Sequence, residues 1–169
     1  MQILNSSLED IDSIFKLYDE AISFQKTKFN KHWQGFERSL VENEISENRQ
    51  WKIVIDEQIA CIFAITHEDA LIWGEKNNDS AIYIHRIVTN PIYRGNNFVK
   101  VIVDWGKDFC KKYSKQFIRM DTWGDNDALI AHYTNCGFDF LGLTTLQKSE
   151  GLPKHYERAC LSLFEIKIY

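Results

Sequence analysis

The first part of the chain has the hydrophobic spacing of two amphipathic helices. After a short apolar strand near Leu4, apolar residues recur every three or four positions from residue 8 to about residue 25, and Asn5-Ser6-Ser7 provides capping side chains before them. A second, more polar helix is predicted over residues 36–48. The segment between them, residues 26–36, has no clean period, and we interpret it as a loop that either packs on the surface or walls a substrate site.

Further along the chain the hydrophobic period changes to two, which is typical of β-strands. Residues 51–55 and 58–65 predict an antiparallel hairpin, and residues 81–89 predict a third strand that ends before Pro91. The polar segment over residues 68–80 is predicted to be a loop.

A long amphipathic helix is predicted to follow Gly95, because apolar side chains recur at helical spacing up to Tyr113. The next predicted strand, residues 117–123, should lie parallel to the strand over residues 81–89, through a right-handed crossover. Gly106 lies on the apolar stripe of the helix and indicates close packing on the sheet. The pattern therefore predicts a βαβ unit at the centre of the chain.

The C-terminal part is predicted to contain one short helix and two strands. The helix begins after Asn126, which can serve as its N-cap, and ends at Gly137. The strands are predicted over residues 138–147 and 158–168, with a turn region at residues 148–153.

Composition is typical of one soluble domain, residues 1–169, with 44% hydrophobic and 26% charged residues. A net charge of −4 provides no overall basic field, so nucleic acid is not expected as a partner. There is neither a signal-peptide pattern nor a run of about 20 apolar residues. We therefore expect no membrane association and a cytoplasmic location.

Cysteines and histidines show no metal-ligand spacing. Cys61, Cys110, Cys136 and Cys160 are 49, 26 and 24 positions apart, and we interpret them as reduced thiols that pack as small hydrophobic residues. The histidines likewise form no ligand pair, so no metal is expected.

The stretch from Ala81 to Tyr113 places a strand, a loop with Arg94-Gly95-Asn96-Asn97 and a helix in succession. The amides at a helix N-terminus lack internal partners and attract anions together with the helix dipole. This stretch therefore predicts an anion site.

Two motifs resemble the GNAT (Gcn5-related) N-acetyltransferase family, whose order of elements matches nearly the whole chain. The first is Ile87-Val88-Thr89-Asn90-Pro91-Ile92-Tyr93-Arg94-Gly95, and the second is Asn126-Asp127-Ala128 followed by Tyr133-Thr134-Asn135-Cys136-Gly137-Phe138. The resemblance implies an α/β (α+β) fold with a mixed sheet of six to seven strands and about four helices. It also implies acetyl-CoA as the co-substrate.

The loop departs from the family pattern at two positions. The family pattern is Arg or Gln, two residues of any type, Gly, one residue of any type, then Gly or Ala. Counted from Arg94, this chain has Asn97 in place of the Gly and Val99 in place of the final Gly or Ala. Asn tolerates positive φ better than other non-glycine residues, so Asn97 is expected to keep the loop geometry. The branched side chain of Val99 is expected to narrow the approach to the phosphates.

The resemblance also implies roles for individual residues. Backbone amides of the loop would hold the CoA pyrophosphate, and the strand before the loop would pair with the pantetheine arm, with an amide near Val88 at the oxyanion. The implied cofactor-binding residues are Ile87, Val88, Thr89, Arg94, Gly95, Asn96, Asn97, Phe98, Val99, Lys100 and Asn126.

Tyr133 matches the residue that protonates the CoA thiolate in the family. His85 is a candidate general base because its ordinary pKa suits proton transfer near neutral pH, with Glu75, Asp121 or water as alternatives. The expected reaction is acetyl transfer to the primary amine of a small molecule. A protein or peptide acceptor and an inactive acyl-CoA sensor stay open as alternatives, and a homodimer stays an open possibility.

Overall fold

A computed structural model describes residues 1–146, 150–152, 156 and 158–169 of the chain. The helices are α1 (Ile11–Lys28), α2 (Arg38–Ser46), α3 (Ala70–Trp73), α4 (Phe98–Lys112) and α5 (Asp127–Asn135). The strands are β1 (Gln2–Asn5), β2 (Gln50–Ile55), β3 (Gln58–Thr66), β4 (Ala81–Thr89), β5 (Phe117–Trp123), β6 (Asp139–Thr145) and β7 (Cys160–Lys167).

The strands form a seven-stranded mixed sheet in the order β1-β2-β3-β4-β5-β7-β6. β4 and β5 are parallel, with Ala81 opposite Phe117 and Ile84 opposite Met120, as the βαβ pattern predicted. The pairs β1–β2, β2–β3, β5–β7 and β6–β7 are antiparallel. The predicted α/β fold with a mixed sheet is therefore confirmed, and it has seven strands.

The described chain divides into two compact units, the first containing Met1–Ile65 and Arg86–Asn96. Its core forms between α1, α2 and strand residues such as Ile62 and Val88, and Tyr18, Trp33 and Phe36 pack ring against ring at its edge. Arg86 donates to Glu44 and to the Tyr18 hydroxyl inside this unit. Because a buried charge is costly unless paired, these partners hold Arg86 in place.

The second unit contains Thr66–His85, Asn97–Leu152 and Tyr156–Tyr169 among its described residues. Here α4 packs on the strands, and a Cβ atom at Gly106 would lie 3.0 Å from Ile118 Cδ1. The predicted close approach at Gly106 is therefore confirmed. Arg119 is fully buried in this unit and donates to Asp79 and Glu165.

The structure corrects several predicted boundaries. The predicted loop over residues 68–80 contains α3 and a 3-10 helix (Gly74–Asn78), and α1 continues to Lys28 into the predicted loop over residues 26–36. The end of the predicted strand at Gln147 and part of the turn region at residues 148–153 lie outside the described residues. No helix within the described ranges is long and apolar enough to cross a membrane.

Candidate active site

The parallel pairing of β4 and β5 brings His85 and Asp121 together. The register ends with Ile84 opposite Met120, and His85 and Asp121 are the next residue on each strand. Arg86 follows with φ of 50°, which breaks the alternation of side chains that the sequence predicted for β4. Its positive φ is unusual for a residue other than glycine, and its ion pair with Glu44 holds it there.

Asp69 joins this pair from the segment just before α3. Its Oδ2 atom lies 3.5 Å from His85 Nε2, and one ligand atom from each of Asp69, His85 and Asp121 lies within 4.8 Å of the others. The backbone carbonyl of Asp69 accepts from the Trp73 amide at 2.9 Å, and the Asp69 amide donates to Asn77 Oδ1. The helical turn after Asp69 thus fixes the backbone from which its carboxylate extends.

Hydrogen bonds within the second unit orient this cluster, which we call the Asp69–His85–Asp121 cluster. Thr66 Oγ1 lies 3.3 Å from His85 Nε2, and the Tyr156 hydroxyl donates to Asp121 Oδ2 at 3.2 Å. Thr66 ends β3, so neighbouring parts of the unit hold both the imidazole and a carboxylate.

Burial controls the charge of both carboxyl groups. Desolvation raises the pKa of Asp121 from 3.8 to about 7, against the Tyr156 hydrogen bond, which lowers it. Desolvation and, to a smaller extent, the nearby charge of Asp121 together raise the pKa of Asp69 to about 7. Both carboxyl groups therefore exchange protons near neutral pH.

Tyr133 lies on α5, half-buried among aromatic side chains. Its ring centroid is 5.2 Å from that of Phe164 and 6.2 Å from that of Phe138. Desolvation raises the pKa of its phenol, as do the charges of Cys136 and Asp121, so the group keeps its proton at neutral pH. The phenol of Tyr133 therefore has the protonation state that a proton donor needs.

Asn126 begins α5 as the sequence predicted. Its side chain accepts from the Leu129 amide at 3.1 Å, which is an N-cap hydrogen bond. Cys136 follows the last turn of α5, Gly137 has φ of 104°, and the helix ends there. Tyr133 therefore lies on a short helix whose start signal, Asn126, and stop signal, Gly137, are both visible in the sequence.

The predicted anion loop has the backbone that its sequence required. Asn97 adopts φ of 48° and ψ of 52°, the left-handed conformation expected of it, and Gly95 has φ of 91° with open space where a Cβ atom would stand. Asn97 Oδ1 also accepts from Cys136 Sγ at 3.5 Å. The substitution of Asn for the glycine of the family pattern is therefore accommodated.

Other residues of the predicted binding set differ in exposure. Arg94, Gly95, Asn96, Asn97 and Lys100 are exposed, whereas Val88, Phe98 and Val99 are buried and Ile87, Thr89 and Asn126 are partly buried. The Lys100 amide already donates to the Asn97 carbonyl at 3.1 Å, and the Arg94 amide donates to Pro91 at 3.3 Å. The Arg94 guanidinium lies 4.6 Å from the Phe24 ring centroid in the first unit. Amides between Arg94 and Lys100 are consequently the better candidates for an anion.

Sequence reasoning missed Asp69 and Tyr156, since both lie in segments without a recognisable period. An aspartate just before a short apolar run was the one available signal for Asp69, because such residues commonly begin helices. Glu75, a predicted alternative base, is exposed on the 3-10 helix and does not belong to the cluster. Asp121 does belong to it.

Cys61, Cys110 and Cys136 are buried free thiols, as predicted, while Cys160 is partly exposed.

Comparison with known proteins adds a family match. The model of the acetyltransferase (GNAT) family matches residues 27–138, more than half of the chain. The uncharacterized N-acetyltransferase YesJ of Bacillus subtilis is 22% identical over 142 residues, which are 79% of this chain and 79% of that protein.

Solved structures share the fold. A GNAT-family acetyltransferase from Listeria monocytogenes superposes with a TM-score of 0.78 at 20% identity, covering 98% of this chain and 94% of that one. yncA from Salmonella typhimurium, solved with its cofactor acetyl-CoA, has a TM-score of 0.70 at 10% identity, covering 100% and 94%.

Proposed function

We propose, since this chain belongs to the acetyltransferase (GNAT) family, that it transfers an acetyl group from acetyl-CoA to the primary amine of a small molecule. One observation carries the proposal. Within the second unit, His85, Asp69 and Asp121 form a cluster suited to accept a proton, and burial keeps the phenol of Tyr133 protonated. Acetyl transfer to an amine needs both an acceptor and a donor of protons.

Acetyl-CoA as donor is supported by family membership and by the loop geometry. The amides of the exposed residues Gly95, Asn96 and Asn97, just before α4, suit a pyrophosphate because unpaired N–H groups and the helix dipole both favour negative charge. The open space at Gly95 leaves room for that approach. Ile87, Val88 and Thr89 are proposed to face the pantetheine arm, and Asn126 to hydrogen-bond it.

The proposed reaction is direct attack of the amine on the thioester carbonyl. The ammonium first loses a proton to His85, whose imidazole is held beside Asp69 and Asp121. The neutral amine then forms a bond to the acetyl carbon, and the tetrahedral intermediate collapses as the carbon–sulfur bond breaks. Tyr133 protonates the departing thiolate and recovers its proton as the new amide nitrogen loses one. The products are the N-acetylated amine, CoA and one proton released to solvent.

A thiol-release assay tests the proposal. Purified protein is mixed with acetyl-CoA and a panel of amines, and free CoA is measured with a thiol reagent, while the acetylated product is identified by mass spectrometry. Release that depends on a small amine supports the proposal.

Two other results would replace it. Release that requires a lysine-containing or N-terminal peptide would identify a peptide acetyltransferase. Binding of acetyl-CoA without release on any amine would identify an acyl-CoA sensor. The left-handed conformation of Asn97 weakens one of the two grounds for the sensor, while the departure at Val99 keeps the other.

A further inference from the structure

We propose that Asp69 and Asp121 bind the ammonium group of the acceptor, so that the enzyme selects small aliphatic amines that are cationic at neutral pH. The inference rests on the proposed function, and it adds the class of acceptor and the residues that recognise it. Asp69 and Asp121 are thereby assigned to substrate binding, and His85 between them to proton removal.

The geometry of the cluster fits one small cation. The three side chains come from β4, β5 and the segment before α3, and their ligand atoms lie within 4.8 Å of one another. An ammonium group donates up to three hydrogen bonds and has no acceptor, so it matches two carboxylates and one imidazole nitrogen. All three residues are partly buried.

Asp69 supplies an independent indication that the cluster binds a hydrogen-bond donor. Its side chain is only 7% exposed, yet its buried Oδ2 atom accepts no hydrogen bond from the part of the chain that the structure describes. That atom is directed at the cluster, 3.5 Å from His85 Nε2. Because an unsatisfied buried carboxylate oxygen is costly, a donor supplied by the substrate would remove a penalty that the free protein carries.

The charges facing the cluster favour a cation over an anion or a neutral group. Asp121 on β5 and Asp69 before α3 are acidic, while the Thr66 and Tyr156 hydroxyls face His85 and Asp121 respectively. Tyr133 on α5 adds a phenol that keeps its proton. No lysine or arginine is paired with either carboxylate among the described residues. A protonated amine would supply a positive charge to these two carboxyl groups.

This arrangement discriminates between amines by their basicity. An alkylamine has an ordinary pKa close to the lysine value of about 10.4, so it enters the site charged, whereas a peptide α-amine, at about 7.7 to 8.0, is partly neutral. An arylamine is neutral and offers no charge to the carboxylates. The site should therefore prefer alkylamines over α-amines and arylamines of similar size.

Proton release is the expected signature of binding. In the free protein the two carboxyl groups are partly protonated near neutral pH, because the pKa values of Asp69 and Asp121 are both about 7. A bound ammonium stabilises the charged carboxylates and lowers both pKa values, so binding expels a proton. A role of these residues in folding alone would not produce this signal.

The experiment uses the full chain with cyclohexylamine and aniline as a matched pair, beside a panel of alkyl monoamines and diamines. Acetyl-CoA binding is measured first by calorimetry, and CoA release is then followed against amine concentration. Titrations of amine at about pH 6.5 in two buffers of different ionisation enthalpy give the number of protons released. The variants are Asp69→Asn and Asp121→Asn, with Asp104→Asn on the exposed face of α4 as the control.

The expected result is turnover of alkylamines and not of aniline, with proton release on binding. Either cluster variant should raise the KM for the amine by about 10- to 100-fold while leaving acetyl-CoA affinity unchanged, as loss of a buried charge partner does. Asp104→Asn should behave as the wild-type protein.

Three results would overturn the inference. The first is equal use of aniline and cyclohexylamine, and the second is an unchanged amine KM in folded Asp69→Asn and Asp121→Asn. The third is tight binding of Mn²⁺ or Zn²⁺ that blocks the amine, which would make the cluster a metal site. Loss of acetyl-CoA binding, by contrast, would defeat the proposed function itself, and the proton-release titration would still report on the amine site.

Discussion

His85 Nε2 lies 3.5 Å from Asp69 Oδ2, although the two residues belong to different elements separated by α3 and a 3-10 helix. The imidazole is thus flanked by one carboxylate from the segment before α3 and another, Asp121, from the neighbouring strand. Polar side chains on both sides hold the imidazole in one orientation. This relationship favours His85 over Glu75 and water as the proton acceptor.

Replacing Tyr133 by Phe tests the proton donor. The phenol is removed while the ring contacts with Phe138 and Phe164 are kept, so the fold should persist. We expect kcat to fall by about 10²-fold or more with little change in acetyl-CoA affinity, because the interaction acts only as the thiolate leaves. Steady-state kinetics and calorimetry measure the two quantities. An unchanged kcat would remove Tyr133 from the donor role.

Replacing Gly95 by Glu tests the anion loop. The new carboxylate would repel the pyrophosphate, and we expect acetyl-CoA affinity to fall by about tenfold or more. Gly95 has φ of 91°, so any side chain strains the backbone there. Gly95→Ala is therefore the control, since it carries the same strain without the charge. Equal affinities of the Glu and Ala variants would place the pyrophosphate elsewhere.

Replacing Asp121 by Asn should change how stability depends on pH. The folded-state pKa of Asp121 is raised to about 7, so its contribution to stability is present below the unfolded value of 3.8 and is lost as the pH rises toward about 7. Relative to wild type, Asp121→Asn should therefore gain stability between pH 5 and pH 8, on the order of 2 kcal/mol. Urea unfolding at the two pH values measures this, with Asp104→Asn as the control. A constant difference across that range would contradict the raised pKa.

Replacing Gly106 by Val tests the packing of α4. A Cβ atom there would lie 3.0 Å from Ile118 Cδ1 and 3.8 Å from Ile82 Cδ1. We expect a loss of about 2 kcal/mol in the free energy of unfolding, because a well-packed core resists added volume. Adding Ile118→Val removes the Cδ1 methyl group that would clash with the new side chain, and it should recover part of the lost stability. Additive effects of the two substitutions would show that the contact is not the cause.

The elements with strong local signals were predictable. α4, α5, β4 and β5 follow from apolar periodicity and from the stop signals at Pro91 and Gly137, which act over a few residues. The left-handed conformation of Asn97 was also predictable, because few other residue types tolerate it. The helix α3 was missed, since four residues are too few to display a period.

The sequence by itself determined the order of the strands and of the longer helices, the parallel crossover from β4 to β5 and two motifs resembling the acetyltransferase family, because each depends on neighbouring residues. Only the tertiary structure decided which acidic groups accompany His85. Asp69 and Asp121 lie 16 residues before it and 36 residues after it in the chain. Strand register and the turn before α3 bring them together, and burial then raises their pKa values. Register and desolvation are properties of the assembled sheet, so no local pattern could indicate them.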